Sequence, residues 1–163
     1  MGTRISEIIF GNDWKGIISR MACVGVFFIF AIYPNFEIIF VSGSSMHPTL
    51  KNRDLIILKK YAYDYHPPEI NDIVVLTERS DRTKIVKRIV AGPGESVDIC
   101  DGILCINGKP DLRWSGQVSY KLNKQLYNKV PEYCYFYIGD NRGDTSLGIV
   151  NLDQIQGKVM FHD

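Results

Sequence analysis

The chain has 163 residues, with 19 Lys and Arg against 18 Asp and Glu and a formal net charge of +1. That length holds one domain with a real core plus an appendage, and it is too short for two ordinary domains. Charges of both signs are interspersed without a basic stripe, which argues against nucleic acid as a partner, and no internal period or biased tract points to a repeat architecture.

Residues 1–15 are polar and mixed, with Arg4 and Lys15. From Gly16 the chain turns apolar and, apart from Ser19 and Arg20, stays so to Tyr33. Counted from Gly16 to Pro34 as a helix, with Arg20 snorkelling to the headgroups, the stretch is about 28 Å long, close to a bilayer's hydrocarbon thickness. A cleaved signal peptide would need small residues at its end, where this chain reads Tyr33-Pro34-Asn35-Phe36. A buried core helix would show a polar face, which Met21 to Tyr33 lacks. The expected organisation is therefore a cytoplasmic N-terminus at 1–15, a transmembrane anchor at 16–34 and an outward-facing domain at 35–163. The orientation follows from Arg4, Lys15 and Arg20 preceding the span, with no further Lys or Arg until Lys51.

After Pro34 the pattern changes to β. Strands are expected at Glu37 to Val41, Asp54 to Leu58, Asp72 to Leu76 and Lys84 to Val90, the last ending at the turn Ala91-Gly92-Pro93-Gly94. Val97 to Cys100 and Ile103 to Ile106 read as a hairpin around Asp101-Gly102, with a second turn at Asn107-Gly108. Asp111 to Val130 has no clear period; Trp114, Tyr120 and Tyr127 suit a flap or local core. Tyr133 to Ile138 and Gln156 to Phe161 are further strands. The predicted fold class is mainly β, an antiparallel sheet or partly open barrel behind one N-terminal transmembrane helix.

Between the first two strands lies Ser42-Gly43-Ser44-Ser45-Met46-His47-Pro48-Thr49-Leu50, a rigid corner that exposes and holds its serines. A serine hydroxyl is a weak nucleophile near neutral pH and needs a base. His47 is one suspect, but a proline follows it and no carboxylate is placed to orient it, so an exposed loop histidine is the better reading. Lys87 is the other. On a period-two strand it shares a face with Ile85 and Ile89, where desolvation lowers its pKa and leaves an amine able to take the proton. The competing reading is a lysine snorkelling to a wet sheet edge. Arg88 points to the opposite face and reads as structural.

No metal site and no cofactor are expected: the histidines His47, His66 and His162 are scattered and the cysteines make no Cys-x-x-Cys. Cys100 and Cys105 flank Asp101-Gly102. A two-residue turn would set them diagonally, near the limit of disulfide reach, and a four-residue loop would set them opposite, so pairing stays open.

Three boxes, Ser45-Met46-His47-Pro48-Thr49, Lys87 to Glu95 and Gly139-Asp140-Asn141-Arg142, resemble in order the signatures of the type I signal peptidases, behind an N-terminal apolar segment. The resemblance covers most of Glu37 to Phe161. It implies a bacterial inner-membrane serine endopeptidase, catalytic domain outside, that removes signal peptides from exported preproteins with a Ser-Lys dyad. Its partners would be those signal peptides and, through residues 16–34, membrane lipid. Carried over, it makes Ser45 the nucleophile, Lys87 the general base, Met46 a shaper of the site, and Asp140, Asn141 and Arg142 supports of its loops.

The oxyanion would be held by the Ser45 backbone N–H. Gly43 stands where many members carry an extra hydroxyl. The lysine-orienting hydroxyl is Thr145 by direct register, or Ser146 if a gap is admitted. The last box is shortened at Gly143 to Val150 and lacks the acidic and arginine pair expected to partner Arg88 and Arg142. Alternatives of the same chemistry are a pilin or conjugative-transfer peptidase and a mitochondrial inner-membrane homologue. A self-cleaving repressor-type domain would need a DNA-reading module that residues 1–34 lack, and an inactive tethered β domain would have no reason to keep Ser45 and Lys87.

Overall fold

The computed structural model describes residues 14–78, 82–112 and 124–161. Residues 1–13 with Arg4, the aromatics Trp114 and Tyr120, and His162 lie outside them. Two units are distinguished, Met1–Phe36 and Glu37–Asp163.

In the first unit one helix, α1 (Trp14–Ile32), occupies the apolar stretch and runs into a 3-10 turn, Tyr33–Asn35, where Pro34 cannot continue the helix. Its apolar side chains Ile17, Met21, Val24 and Phe27 are exposed. Among the described residues no helix is long and apolar enough to cross a membrane. Lys15, Ser19 and Arg20 occupy its first turns.

The second unit holds β1 (Phe36–Phe40), β2 (Leu55–Lys59), β3 (Ile73–Thr77), β4 (Lys84–Ala91), β5 (Val97–Cys100), β6 (Ile103–Ile106), β7 (Lys109–Pro110), β8 (Lys124–Tyr127), β9 (Cys134–Ile138), β10 (Leu147–Asn151) and β11 (Ile155–Phe161). They form a seven-stranded sheet in the order β1-β2-β11-β3-β4-β9-β10 and a four-stranded sheet in the order β7-β6-β5-β8. The pairs from β2–β11 to β9–β10, and those of the smaller sheet, are antiparallel. The mainly antiparallel β architecture read from the sequence is present as two sheets.

Alternation explains the strands. In β2, Ile56 and Leu58 are buried while Leu55 and Lys59 are exposed, whereas β3 is buried on both faces and reads as a continuous apolar run. Asp101 and Gly102 both have positive φ, as do Asn107 and Gly108, the backbone that two-residue hairpin turns require. Three buried clusters result. One gathers Val41, Met46, Leu50, Ile56, Leu58, Ile73, Val75 and Val159 around the serine corner. A second, with Val74, Leu76, Ile89, Tyr135 and Val150, lies along β3, β4, β9 and β10. The third joins the smaller sheet through Val97, Ile99 and Leu104 to Val90, Phe136 and Ile138.

Three strands lie outside the expected ones: β7 is a two-residue pairing with β6 after the Asn107-Gly108 turn. β8 falls in the stretch without a period, and β10 falls where the last box looked merely shortened. In β10 a glycine interrupts the apolar signal, yet Gly148 is placed against Tyr137, whose hydroxyl would lie 3.2 Å from an added Cβ. The two-residue turn sets Cys100 opposite Ile103 and Cys105 opposite Asp98. That is the diagonal case, and all four cysteines are free thiols. Burial and the neighbouring Cys100 push the Cys105 thiol up to about 11.

Candidate active site

The serine corner leaves β1 and is closed before β2 by main-chain bonds from Val41 N–H to Asp54 O, 2.9 Å, and from Arg53 N–H to Val41 O, 2.8 Å. Gly43, at φ +99°, allows the reversal and donates its N–H to Asn52 Oδ1 at 3.1 Å. Two further turns, His47 N–H to Ser44 O and Leu50 N–H to Met46 O, both 2.9 Å, tighten the segment. Met46 and Leu50 are buried in the core. Ser45 is thus fixed between an anchored residue and an exposed one, itself half-buried.

Lys87 enters from the middle of β4, opposite Val74 of β3. It is 3 % exposed, and Ile89 two residues along is fully buried. Its Nζ lies 2.7 Å from Ser45 Oγ. This contact decides between the two readings of the lysine, since a side chain reaching for solvent would not be buried on a serine. Desolvation is the largest influence on the amine and lowers its pKa; the negative charges of Glu78 and Asp140 offset part of that drop. His47 is exposed, and it is the lysine amine that meets the hydroxyl.

The second polar corner follows β9 and is stitched to the first. Asn141 donates its N–H to Ser45 O at 3.0 Å and its Nδ2 to Ser44 O at 3.2 Å. Ser44 Oγ donates to Asp144 Oδ2 at 3.0 Å. The Ser45 N–H donates to no group among the described residues.

Arg88 grips Asp140 with both ends of its guanidinium, Nε to Oδ1 at 2.8 Å and Nη2 to Oδ2 at 2.7 Å, and gives Nη1 to Asn71 O at 2.7 Å. Arg142 donates to Asp111 Oδ2 at 3.2 Å, with both side chains almost fully buried. The shortened box therefore does not strand these arginines: Asp140, 52 residues from Arg88, and Asp111, 31 residues from Arg142, take the place of the missing pair. Nothing in the local pattern marks Asp111, Asn52 or Asp144: Asn52 closes the corner on Gly43, and the other two take partners distant in sequence.

The expected hydroxyl contact to Lys87 is not made. Thr145 Oγ1 accepts from Gly139 N–H at 3.1 Å and donates to Ser146 O at 3.1 Å, and the Ser146 residue is exposed. Among the described residues no cluster of side chains suits a metal ion.

Taken together, the buried amine, the held hydroxyl and the free backbone donor beside it form an arrangement suited to nucleophilic attack on a carbonyl. The family model described as signal peptidase, peptidase S26, matches residues 14–162. The probable signal peptidase I-1 of Synechocystis is 28% identical over 92% of this chain and 84% of its own length. Signal peptidase I T of Bacillus subtilis is 34% identical over 77% and 72%, and signal peptidase I of Bacillus caldolyticus is 30% identical over 93% and 89%. The chain belongs to the signal peptidase family, peptidase S26, and is a serine endopeptidase of that family.

Proposed function

We propose that this chain removes signal peptides from exported preproteins at a membrane surface, with Ser45 as nucleophile and Lys87 as general base. The observation that carries the reading is the 2.7 Å approach of the buried Lys87 amine to Ser45 Oγ. With the amine neutral, its lone pair accepts the hydroxyl proton across that distance as Oγ bonds to the scissile carbonyl. The Ser45 N–H holds the resulting oxyanion. The Lys87 ammonium then protonates the leaving amine as the C–N bond breaks, which leaves an ester on Ser45 and a neutral lysine. Water repeats the sequence: Lys87 takes its proton, its oxygen attacks the ester, and the proton returns to Oγ as the acyl group departs.

Asn141 keeps Ser44 and Ser45 in register with the second corner, Asp140 with Arg88 and Arg142 with Asp111 brace that corner, and Met46 anchors the first. Thr145 acts on the corner through Gly139 rather than on the amine. An extended peptide adds beside the segment before Ser45 or beside β4, with small residues, typically Ala, at the first and third places before the cut. Residues 16–34, an apolar stretch whose described side chains are largely exposed, hold the chain in the bilayer with 1–15 on the cytoplasmic side and 35–163 outside.

Cleavage of a preprotein by membranes carrying the full chain tests the reading. Ser45→Ala and Lys87→Ala are each expected to reduce it at least about a thousandfold, while His47→Ala keeps most of it and alkaline carbonate leaves the chain in the membrane pellet. Full activity in either of the first two variants refutes the dyad, and release by carbonate refutes the anchor.

A further inference from the structure

A cavity of about 450 Å³ is lined among others by Leu76, Glu78, Cys134, Tyr137, Ile149 and Gln154. Part of its wall, with Leu76, Tyr137 and Val150, lies on the lysine's side of the sheet, while Cys134 and Ile149 belong to the opposite face. In β3, Val74 stands opposite Lys87 and Leu76 opposite Ile85; by the same alternation position 78 falls on that face. On the other flank Tyr137 of β9 stands opposite Ile89, two residues beyond Lys87.

Glu78 is the one ionised side chain among the described lining residues. It is exposed, and no ion pair joins it to another described residue. Its negative charge acts on both Lys87 and Tyr137 and favours the protonated form of each. Leu76, Ile149 and Val150 supply apolar wall, while Gln154 is held by its Nε2 donating to Thr77 O at 3.4 Å.

Resting on the peptidase reading, we propose that this cavity is a specificity pocket that takes a lysine or arginine side chain of the bound polypeptide, with the Glu78 carboxylate at its cationic end. The methylene stem matches the apolar wall, and the tip meets the single carboxylate. A glutamate or aspartate there would be repelled, and a small residue would leave the cavity unfilled. The position read lies within a few residues of the scissile bond, because Leu76 and Tyr137 of the pocket stand on the amine's face.

The test uses the full chain in detergent and preproteins that differ only by Lys, Gln or Glu at each of the positions flanking the cut. At one position Lys is expected to raise kcat/KM about fivefold over Gln, as for a partly exposed charge pair, with Glu lowest. Glu78→Gln removes the difference and Glu78→Lys inverts it in favour of Glu. No lysine preference at any position, or a preference that survives Glu78→Lys, overturns the proposal.

A second readout does not depend on cleavage. In Ser45→Ala, a cationic methanethiosulfonate reagent should modify the half-buried Cys134 faster than an anionic one, as mapped by mass spectrometry, and Glu78→Gln should abolish the difference. Equal rates before substitution overturn the pocket. Absence of any Ser45-dependent cleavage would count against the peptidase reading instead, and the thiol rates would still decide whether the pocket takes a cation.

Discussion

A methyl group at position 139 would overlap both the Ser45 carbonyl oxygen and the Thr145 hydroxyl. Gly139 is therefore required for space: it lets the two polar corners close on each other while its own N–H is satisfied by Thr145 at 3.1 Å. Gly139→Ala is expected to lower unfolding stability by about 1–3 kcal/mol, the usual cost of overpacking, and to reduce kcat/KM with it, because Ser45 must move when its carbonyl does. Urea denaturation and preprotein cleavage on the same preparation check both effects. Wild-type stability in the alanine variant would show that the corners are less tightly joined than this.

At the scale of elements, β4 serves the site with two adjacent side chains on opposite faces, Lys87 on Ser45 and Arg88 on Asp140. The Arg88–Asp140 pair is bidentate and buried, at 8 % and 0 % side-chain exposure, so removing one partner leaves a charge in a dry place. Arg88→Met is expected to cost about 3–5 kcal/mol by orphaning the Asp140 carboxylate. The double variant Arg88→Met with Asp140→Leu should recover part of that loss, as read in a denaturant-unfolding cycle. Additive losses would mean that the pair does not act as a unit.

The same strand shows what a sequence reader can and cannot see. Its period-two pattern places Lys87 with Ile85 and Ile89 and sets Arg88 opposite, and Asp101-Gly102 locates the hairpin of β5 and β6 while leaving its register open between a two-residue turn and a four-residue loop. The acceptors for Arg88 and Arg142 were out of reach, because ion pairs between distant segments leave no local period. β10 was missed for a related reason: a strand of five residues with a glycine inside it is recognisable only beside Tyr137. The threonine read as a lysine-orienting group was placed by register alone, and its hydroxyl is spent on Gly139 and Ser146.

For the molecule as a whole, one energetic tension runs through the fold. Folding buries an amine that the unfolded chain leaves charged in water. Because burial depresses the Lys87 pKa, between its folded value and the ordinary 10.5 the unfolded chain binds a proton that the folded chain has released. Stability contributed at this position therefore rises with pH across that window and is lowest below it, where the fold holds a buried ammonium. Asp140 and Arg142 tie the surroundings down, through Arg88 on one side and, through Asp111, to the smaller sheet on the other.

The most direct test is a nuclear magnetic resonance titration of the Lys87 amine in isotope-labelled full chain. A midpoint below 10.5 is expected, coinciding with the acidic limb of kcat/KM and moving lower still in Glu78→Gln. A midpoint at or above 10.5, with cleavage unchanged through the pH range where the amine is charged, would contradict the role of Lys87 as general base.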